Sequence, residues 1–370
     1  METKIIQLHL DGKELSEKDK TSLKKAGHVL REGGLVAFPT ETVYGLGGNA
    51  LNGESSRRIY AAKGRPSDNP LIVHICRFED IYSITKIVPE GARKLAQAFW
   101  PGPLTMILPK SDKVPYETTG GLETVAVRMP SHPAAREMIA CAGGYVAAPS
   151  ANASGRPSPT TALHVAEDML GKIDMIVDGG PVGIGLESTI VDLTVSPPQI
   201  LRPGYITKAM LEEVLGCVEE DPAPGEQKSG QSPRAPGMKY RHYAPRGELI
   251  IVEGAKKKVI DFINARAAQD MAEGKRTGVI GTKEAVSLYR ADVVKSVGSR
   301  ENEEEIAACL YAVLREFDRD KVSRIYSESF EAQGLGQAIM NRLLKAAGYR
   351  VEKAAGDASE TETQGGQGEI

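Results

Sequence analysis

Lys63-Gly64-Arg65-Pro66-Ser67-Asp68-Asn69-Pro70, running on into Leu71-Ile72-Val73-His74, compresses a helix end, a rigid turn and a strand into one short stretch. Residues 55–63 read as a helix with Gly64 as its stop, and residues 71–74 as a short apolar strand. Gly64 permits a left-handed backbone, and each proline biases its predecessor towards an extended shape. Helix followed closely by strand is the grammar of an α/β fold, and here the junction carries two cations. Lys63 is a point charge and Arg65 a two-pronged donor, a combination suited to polyphosphate at the mouth of a strand. An isolated K-x-R is more often a solvated basic turn, so the rest of the chain has to decide.

Working outward, residues 16–31 read as a helix. Ser16 and Asp19 form a capping-box-like start, Leu23, Ala26 and Leu30 share a face, and Gly33-Gly34 end it. Residues 35–38 form a strand that delivers residues 39–47, a turn dense in hydroxyls and glycines. Residues 89–99, 132–142 and 161–170 read as helices; 104–108, 124–127, 145–148, 175–178, 188–193 and 199–201 read as strands. Strands outnumber simple β-α-β alternation, so residues 1–217 are expected to form a mixed, twisted-sheet α/β domain. Residues 218–247 are rich in Pro and Gly without apolar periodicity and read as a linker. Its end, Pro236-Gly237-Met238-Lys239-Tyr240-Arg241-His242-Tyr243-Ala244-Pro245, is too aromatic and basic for a passive spacer.

From 248 to 353 the chain alternates regularly. Strands at 249–252, 278–280, 293–294 and 324–326 interleave with helices at 256–271, 284–289, 303–317 and 336–347. Four β-α units predict a smaller, Rossmann-like, doubly wound parallel sheet. Gly334-Leu335-Gly336 has the look of a phosphate turn, although tight packing explains it better. Residues 354–370 are polar and Gly/Gln-rich and are expected to be disordered.

Composition narrows the function. A length of 370 residues predicts two domains. A net charge of −3 gives no global attraction to nucleic acid, so any RNA contact must come from a local patch. Cys76, Cys141, Cys217 and Cys309 form no C-x-x-C pair, which argues against a structural zinc or disulfide framework and fits a reducing cytosol. The N-terminal stretch does not read as a signal peptide, and no apolar run is long enough to span a membrane, so a cytoplasmic protein is expected. There is no Walker loop, dinucleotide fingerprint or nucleophile elbow. Six scattered histidines offer no metal-ligand spacing. What remains is a set of strand-end groups: Thr40, Lys63, Arg65, Asn69, His74, Arg128, Ser150, Asn152, Ser188 and Arg202. Each has a bland reading as a cap, core residue or surface cation. Their shared position beside Pro and Gly at strand ends predicts one cleft for an anionic ligand.

Seven ordered motifs make the reading specific: P-T-E-T-V-Y-G-L-G from Pro39, K-G-R-P-S-D-N-P-L-I-V-H from Lys63, W-P-G-P-L-T from Trp100, T-V-A-V-R-M-P from Thr124, A-P-S-A-N from Ala148, E-S-T-I from Glu187 and L-R-P-G from Leu201. Together they resemble the Sua5/YrdC family of L-threonylcarbamoyladenylate synthases. The 236–245 segment and second domain resemble its longer Sua5 branch. The resemblance implies a reaction in which L-threonine, bicarbonate or CO2, and ATP with Mg2+ give threonylcarbamoyl-AMP and pyrophosphate. It implies a downstream tRNA threonylcarbamoyl-transferase complex acting at adenosine 37, and possible weak tRNA binding. It carries over Lys63, Arg65, Ser150 and Asn152 as the catalytic tetrad, and Asn69, Thr124, Ser158, Arg202 and Tyr243 as further ATP contacts. Thr40, His74, Arg128, Ala148 and Ser188 are carried over as the threonine pocket. No protein-held metal is expected. Residues 238–243 are the candidate lid. A non-catalytic tRNA- or double-stranded-RNA-binding protein is the alternative, disfavoured by the negative net charge. A carbamoyl-transfer protein of the hydrogenase-maturation type would need cysteine pairs that are absent.

Overall fold

The helix Gly53–Lys63 starts on Asn52, whose side chain accepts from the Glu54 amide, and ends on Gly64 at φ 61°. The K-x-R turn therefore leaves that helix in a fixed direction and enters the strand Ile72–His74 eight residues later. The computed structural model describes residues 2–9, 14–221, 233–236 and 242–354. Part of the expected linker, residues 238–241 of the candidate lid and the expected disordered tail after 354 lie outside the described residues.

In the first half the strands are β1 (Lys4–Gln7), β2 (Val36–Phe38), β3 (Gly45–Asn49), β4 (Ile72–His74), β5 (Leu104–Pro109), β6 (Thr124–Arg128), β7 (Val146–Ala147), β8 (Met175–Asp178), β9 (Thr189–Asp192), β10 (Gln199–Arg202) and β11 (Glu219–Glu220). They form one mixed sheet in the order β1-β8-β2-β3-β7-β4-β6-β5-β9-β10-β11. β4 and β6 run parallel while β5 and β7 run antiparallel to them, so the mixed-sheet expectation holds. The helix Glu17–Arg31 begins at Ser16, whose hydroxyl accepts from the Asp19 amide, and buries Leu23, Ala26 and Leu30.

The second half holds β12 (Glu248–Glu253), β13 (Thr277–Gly281), β14 (Val293–Ser296), β15 (Arg324–Glu328) and β16 (Val351–Lys353), all parallel, in the order β14-β13-β15-β12-β16. Helix Lys256–Ala272 packs on one face with Ile250, Val252 and Val279. Helices Glu303–Arg319 and Gly334–Ala347 pack on the other with Leu249, Ile251 and Ile280. This is the doubly wound arrangement expected.

Several elements differ from the sequence reading. Residues 45–49 are a strand rather than the end of a turn: a Cβ on Gly47 would stand 2.9 Å from Val146 and 3.0 Å from Phe38, so glycine here serves close strand packing. β1 and β16 complete sheet edges that their short, weakly patterned sequences do not announce. Residues 284–289 hold only the single turn Val286–Leu288, too short to repay helix nucleation. The start of the expected linker instead pairs with β10, Glu219 facing Gln199. The Gly334–Gly336 turn is already occupied, since the Gly336 amide donates to Glu303 at 3.1 Å, in line with a packing role.

The halves meet at Gly185. A Cβ there would lie 2.4 Å from the Ala307 carbonyl, so the backbone of helix Glu303–Arg319 rests directly on the loop that leads to β9.

Candidate active site

His74 and Arg128 end the parallel strands β4 and β6 in direct register, and Thr105 on β5 lies opposite Arg128. Ser188 precedes β9, Arg202 ends β10, and the turn after β7 carries Ala148, Ser150 and Asn152. One cleft is lined by Thr40, Lys63, Arg65, His74, Arg128, Ala148, Ser150, Asn152, Ser188, Arg202 and Tyr243. Three of the expected residues do not line it. Asn69 is buried beneath the K-x-R turn, its carbonyl accepting from Arg65 Nε at 3.3 Å. Ser158 spends its hydroxyl on Glu187. Thr124 begins β6, four residues from Arg128, or about 13 Å at roughly 3.3 Å per strand residue.

The cations are held mainly by neutral groups. Lys63 Nζ donates to the carbonyls of Ser150 and Asn152, both at 2.5 Å. Arg65 reaches the carbonyls of Asn69 and Pro70. Arg202 donates to the Ser188 carbonyl at 3.0 Å and the Ser188 hydroxyl at 3.2 Å. Burial, with Arg65 alongside, holds the Lys63 ammonium well below its usual range. Burial likewise brings Arg65 down to about 10. Such cations are desolvated and crowd one another, so a polyanion entering the cleft relieves both penalties.

The far side of the cleft is different. Arg128 donates to Glu41 at 2.7 Å and to the Thr42 hydroxyl at 2.9 Å. Burial and Arg128 hold the His74 imidazole down to about 3, so it is neutral near neutral pH. Thr40 donates to the Val43 carbonyl and Ser188 shares a hydrogen bond with Thr105. Small hydroxyls, a neutral imidazole and one guanidinium suit a small zwitterion better than a phosphate chain. Between the two halves, Ser150 donates to the Asn152 side-chain oxygen at 2.5 Å, and Asn152 Nδ2 donates to the carbonyls of Ala153 and Arg156. The S-x-N pair is thus tied to the turn that also receives Lys63.

His242 and Tyr243, the described end of the candidate lid, also line the cleft. Tyr243 sits at φ 63° and stacks on Tyr311 of the second half with ring centroids 5.2 Å apart. Sequence reasoning leaves the role of the second half open; in the structure it supports three cleft-lining side chains, Tyr243, Glu187 and Arg156. Glu187 accepts from Tyr311 at 2.9 Å and from Arg342 at 2.9 Å. Burial opposes its charge, but Arg342, Arg202 and the Ser158 hydroxyl overcome that and bring its carboxyl down to about 2. Arg156 pairs with Asp168 and with Asp318. Asp168 in turn receives Arg315, which is fully buried. Tyr311, Arg315 and Asp318 occupy i, i+4 and i+7 of helix Glu303–Arg319. Read alone, that spacing marks a face but not what covers it.

Glu187, the carboxylate lining the cleft, has its oxygens taken by Arg342, Tyr311 and Ser158, and among the described residues no cluster of three His, Cys, Asp or Glu side chains could hold a metal ion. No described helix is long and apolar enough to cross a membrane.

Residues 28–204 match the family model described as "Telomere recombination", the Sua5/YciO/YrdC model, and residues 206–348 match "Threonylcarbamoyl-AMP synthase, C-terminal domain". The chain is similar to the threonylcarbamoyl-AMP synthase of Pyrococcus abyssi, 52% identical over 90% of this chain and 96% of the relative. Its similarity to the synthase of Bacillus subtilis is 51% over 91% and 96% of the two chains. The crystal structure of P. abyssi Sua5 complexed with L-threonine superposes with a TM-score of 0.88 at 49% identity, covering 95% of this chain and 99% of that one.

Proposed function

The chain belongs to the two-domain Sua5 branch of the Sua5/YrdC family, the threonylcarbamoyl-AMP synthases, and from that premise we propose how its cleft makes the product. The observation that carries the proposal is the division of one cleft into a cationic side and a small polar side, joined by Ser150 and Asn152. ATP, arriving as its magnesium complex, lies along Lys63, Arg65 and Arg202, with Tyr243 closing over the nucleotide. Asn69, Thr124 and Ser158 lie outside the lining: Asn69 supports the Arg65 turn, and Ser158 acts through Glu187. L-Threonine occupies the side formed by Thr40, His74, Ala148 and Ser188, its carboxylate meeting Arg128.

The threonine amine adds to CO2 with loss of a proton, or condenses with bicarbonate with loss of water, and either route gives a carbamate. A carbamate oxygen then bonds to the α-phosphorus, the bond to the bridging oxygen breaks, and pyrophosphate carries away the electron pair. Neither step requires a protein nucleophile. The side chains position the reactants and stabilise charge on the carbamate and phosphates. Closure by the 238–243 segment would shield the water-sensitive adenylate. In the cell the product feeds a separate complex that modifies adenosine 37 of tRNA, and the enzyme works in the cytoplasm.

Mass spectrometry tests the reaction. Protein incubated with ATP, Mg2+, L-threonine and 13C-bicarbonate is expected to yield threonylcarbamoyl-AMP one mass unit heavier than with unlabelled bicarbonate. An adenylate lacking the label would contradict the carbamate route.

A further inference from the structure

We propose that Arg342, in the second domain, is a positioning residue for this cleft, fixing the spacing between Ser188 and Arg202; the inference rests on the reading of the cleft given above. Arg342 lies on helix Gly334–Ala347, is fully buried, and does not line the cleft. Its guanidinium bridges two loops from behind. Nε donates to the Glu187 carboxylate at 2.9 Å, the two terminal nitrogens to the Glu187 carbonyl at 3.3 Å and to the Pro203 carbonyl at 2.9 Å. Glu187 directly precedes Ser188, and Pro203 directly follows Arg202. Those two neighbours are bonded to each other on the cleft side.

The sheet itself leaves this spacing underdetermined. β9 and β10 pair antiparallel, but their register shifts between Ile200 and Arg202, where the ladder reaches the cleft. A bulge re-aims a side chain and weakens the pairing that would fix it. Arg342 supplies the missing tie from outside the sheet. Tyr311 secures the same carboxylate at 2.9 Å, so Glu187 is held by two helices of the second domain. The guanidinium also stands 5.7 Å from the Tyr243 ring, so it backs a third element of the cleft wall. A planar five-donor fork can serve three acceptors in two loops at once, whereas an ammonium on a flexible stem cannot hold that geometry.

Full-length R342K and Y311F test the assignment through pyrophosphate-release kinetics, each compared with wild type in cooperative thermal melts. R342K is expected to raise KM for both threonine and ATP about tenfold while changing kcat less than about threefold, as loss of ground-state binding geometry does. Y311F, which removes one bond to Glu187 and retains its shape, is expected to move both KM values in the same direction by about threefold. A purely structural role would lower the active fraction, reducing apparent kcat with KM unchanged, and that result would overturn the proposal. So would wild-type KM values in both variants. If R342K fails to melt cooperatively, Y311F alone decides between these outcomes. Wild-type protein lacking threonine-dependent release would remove the functional reading itself, which is a separate failure from normal release with insensitive variants.

Discussion

Lys63→Met is expected to lower threonine-dependent pyrophosphate release by about 10³-fold while the protein still melts cooperatively. Removing one preorganised donor aimed at developing charge costs about 10²–10³ in rate, and Lys63 sits at the upper end for two reasons. It is buried at the junction of the cationic and polar halves of the cleft, where reacting carbamate and α-phosphate would meet. It also orders the S-x-N turn, since its ammonium binds the carbonyls of both Ser150 and Asn152. Methionine fills a similar volume. It leaves those two carbonyls without their donor, at about 1–3 kcal/mol each when buried, but it also removes the repulsion from Arg65. These effects oppose each other in stability and reinforce each other in catalysis. A loss of release accompanied by collapse of the melting transition would instead mark Lys63 as a structural cation.

Arg128→Lys is expected to raise KM for L-threonine about 30- to 100-fold while changing ATP affinity less than about threefold. A guanidinium meets a carboxylate with two parallel bonds and lysine with one point charge, and the lost geometry corresponds to about 2–3 kcal/mol at roughly 1.4 kcal/mol per tenfold. The effect is not larger because Arg128 is already engaged: Glu41 and Thr42 hold its fork, and the Gly102 carbonyl lies 3.4 Å from Nε. An incoming carboxylate shares that fork rather than finding a free charge. Steady-state kinetics with each substrate varied in turn provides the check. An equal rise in both KM values would mean that Arg128 shapes the whole cleft and does not read threonine.

How much of this was legible in the sequence follows from the range of the interactions. The helix stop at Gly64 and the strand at Ile72–His74 are set by neighbours within a few residues, and both were readable. The meeting of His74 and Arg128 was readable too, because they end adjacent parallel strands, whereas Lys63 joins them from a helix end and Ser150 from the turn after an antiparallel strand. β3 was missed because its glycines mimic a turn when Phe38 and Val146, the side chains that require them, are out of view. Asn69 lies in a motif of the first domain and Ser158 just beyond one, but nothing local tells a residue lining a cleft from one buried just behind it. The second domain's contribution was the least visible. Arg342 lies 155 positions from Glu187, inside an ordinary helix with no motif around it. Tyr311, Arg315 and Asp318 form a stripe whose meaning depends on what the helix docks against.

The most direct test of the account is pyrophosphate release by the purified full-length protein with ATP and Mg2+, omitting L-threonine and bicarbonate one at a time. The account predicts release only when both are present. Release that persists without threonine would contradict it, because a nucleotide site that turns over without the amino acid would not be a threonylcarbamoyl-AMP synthase cleft.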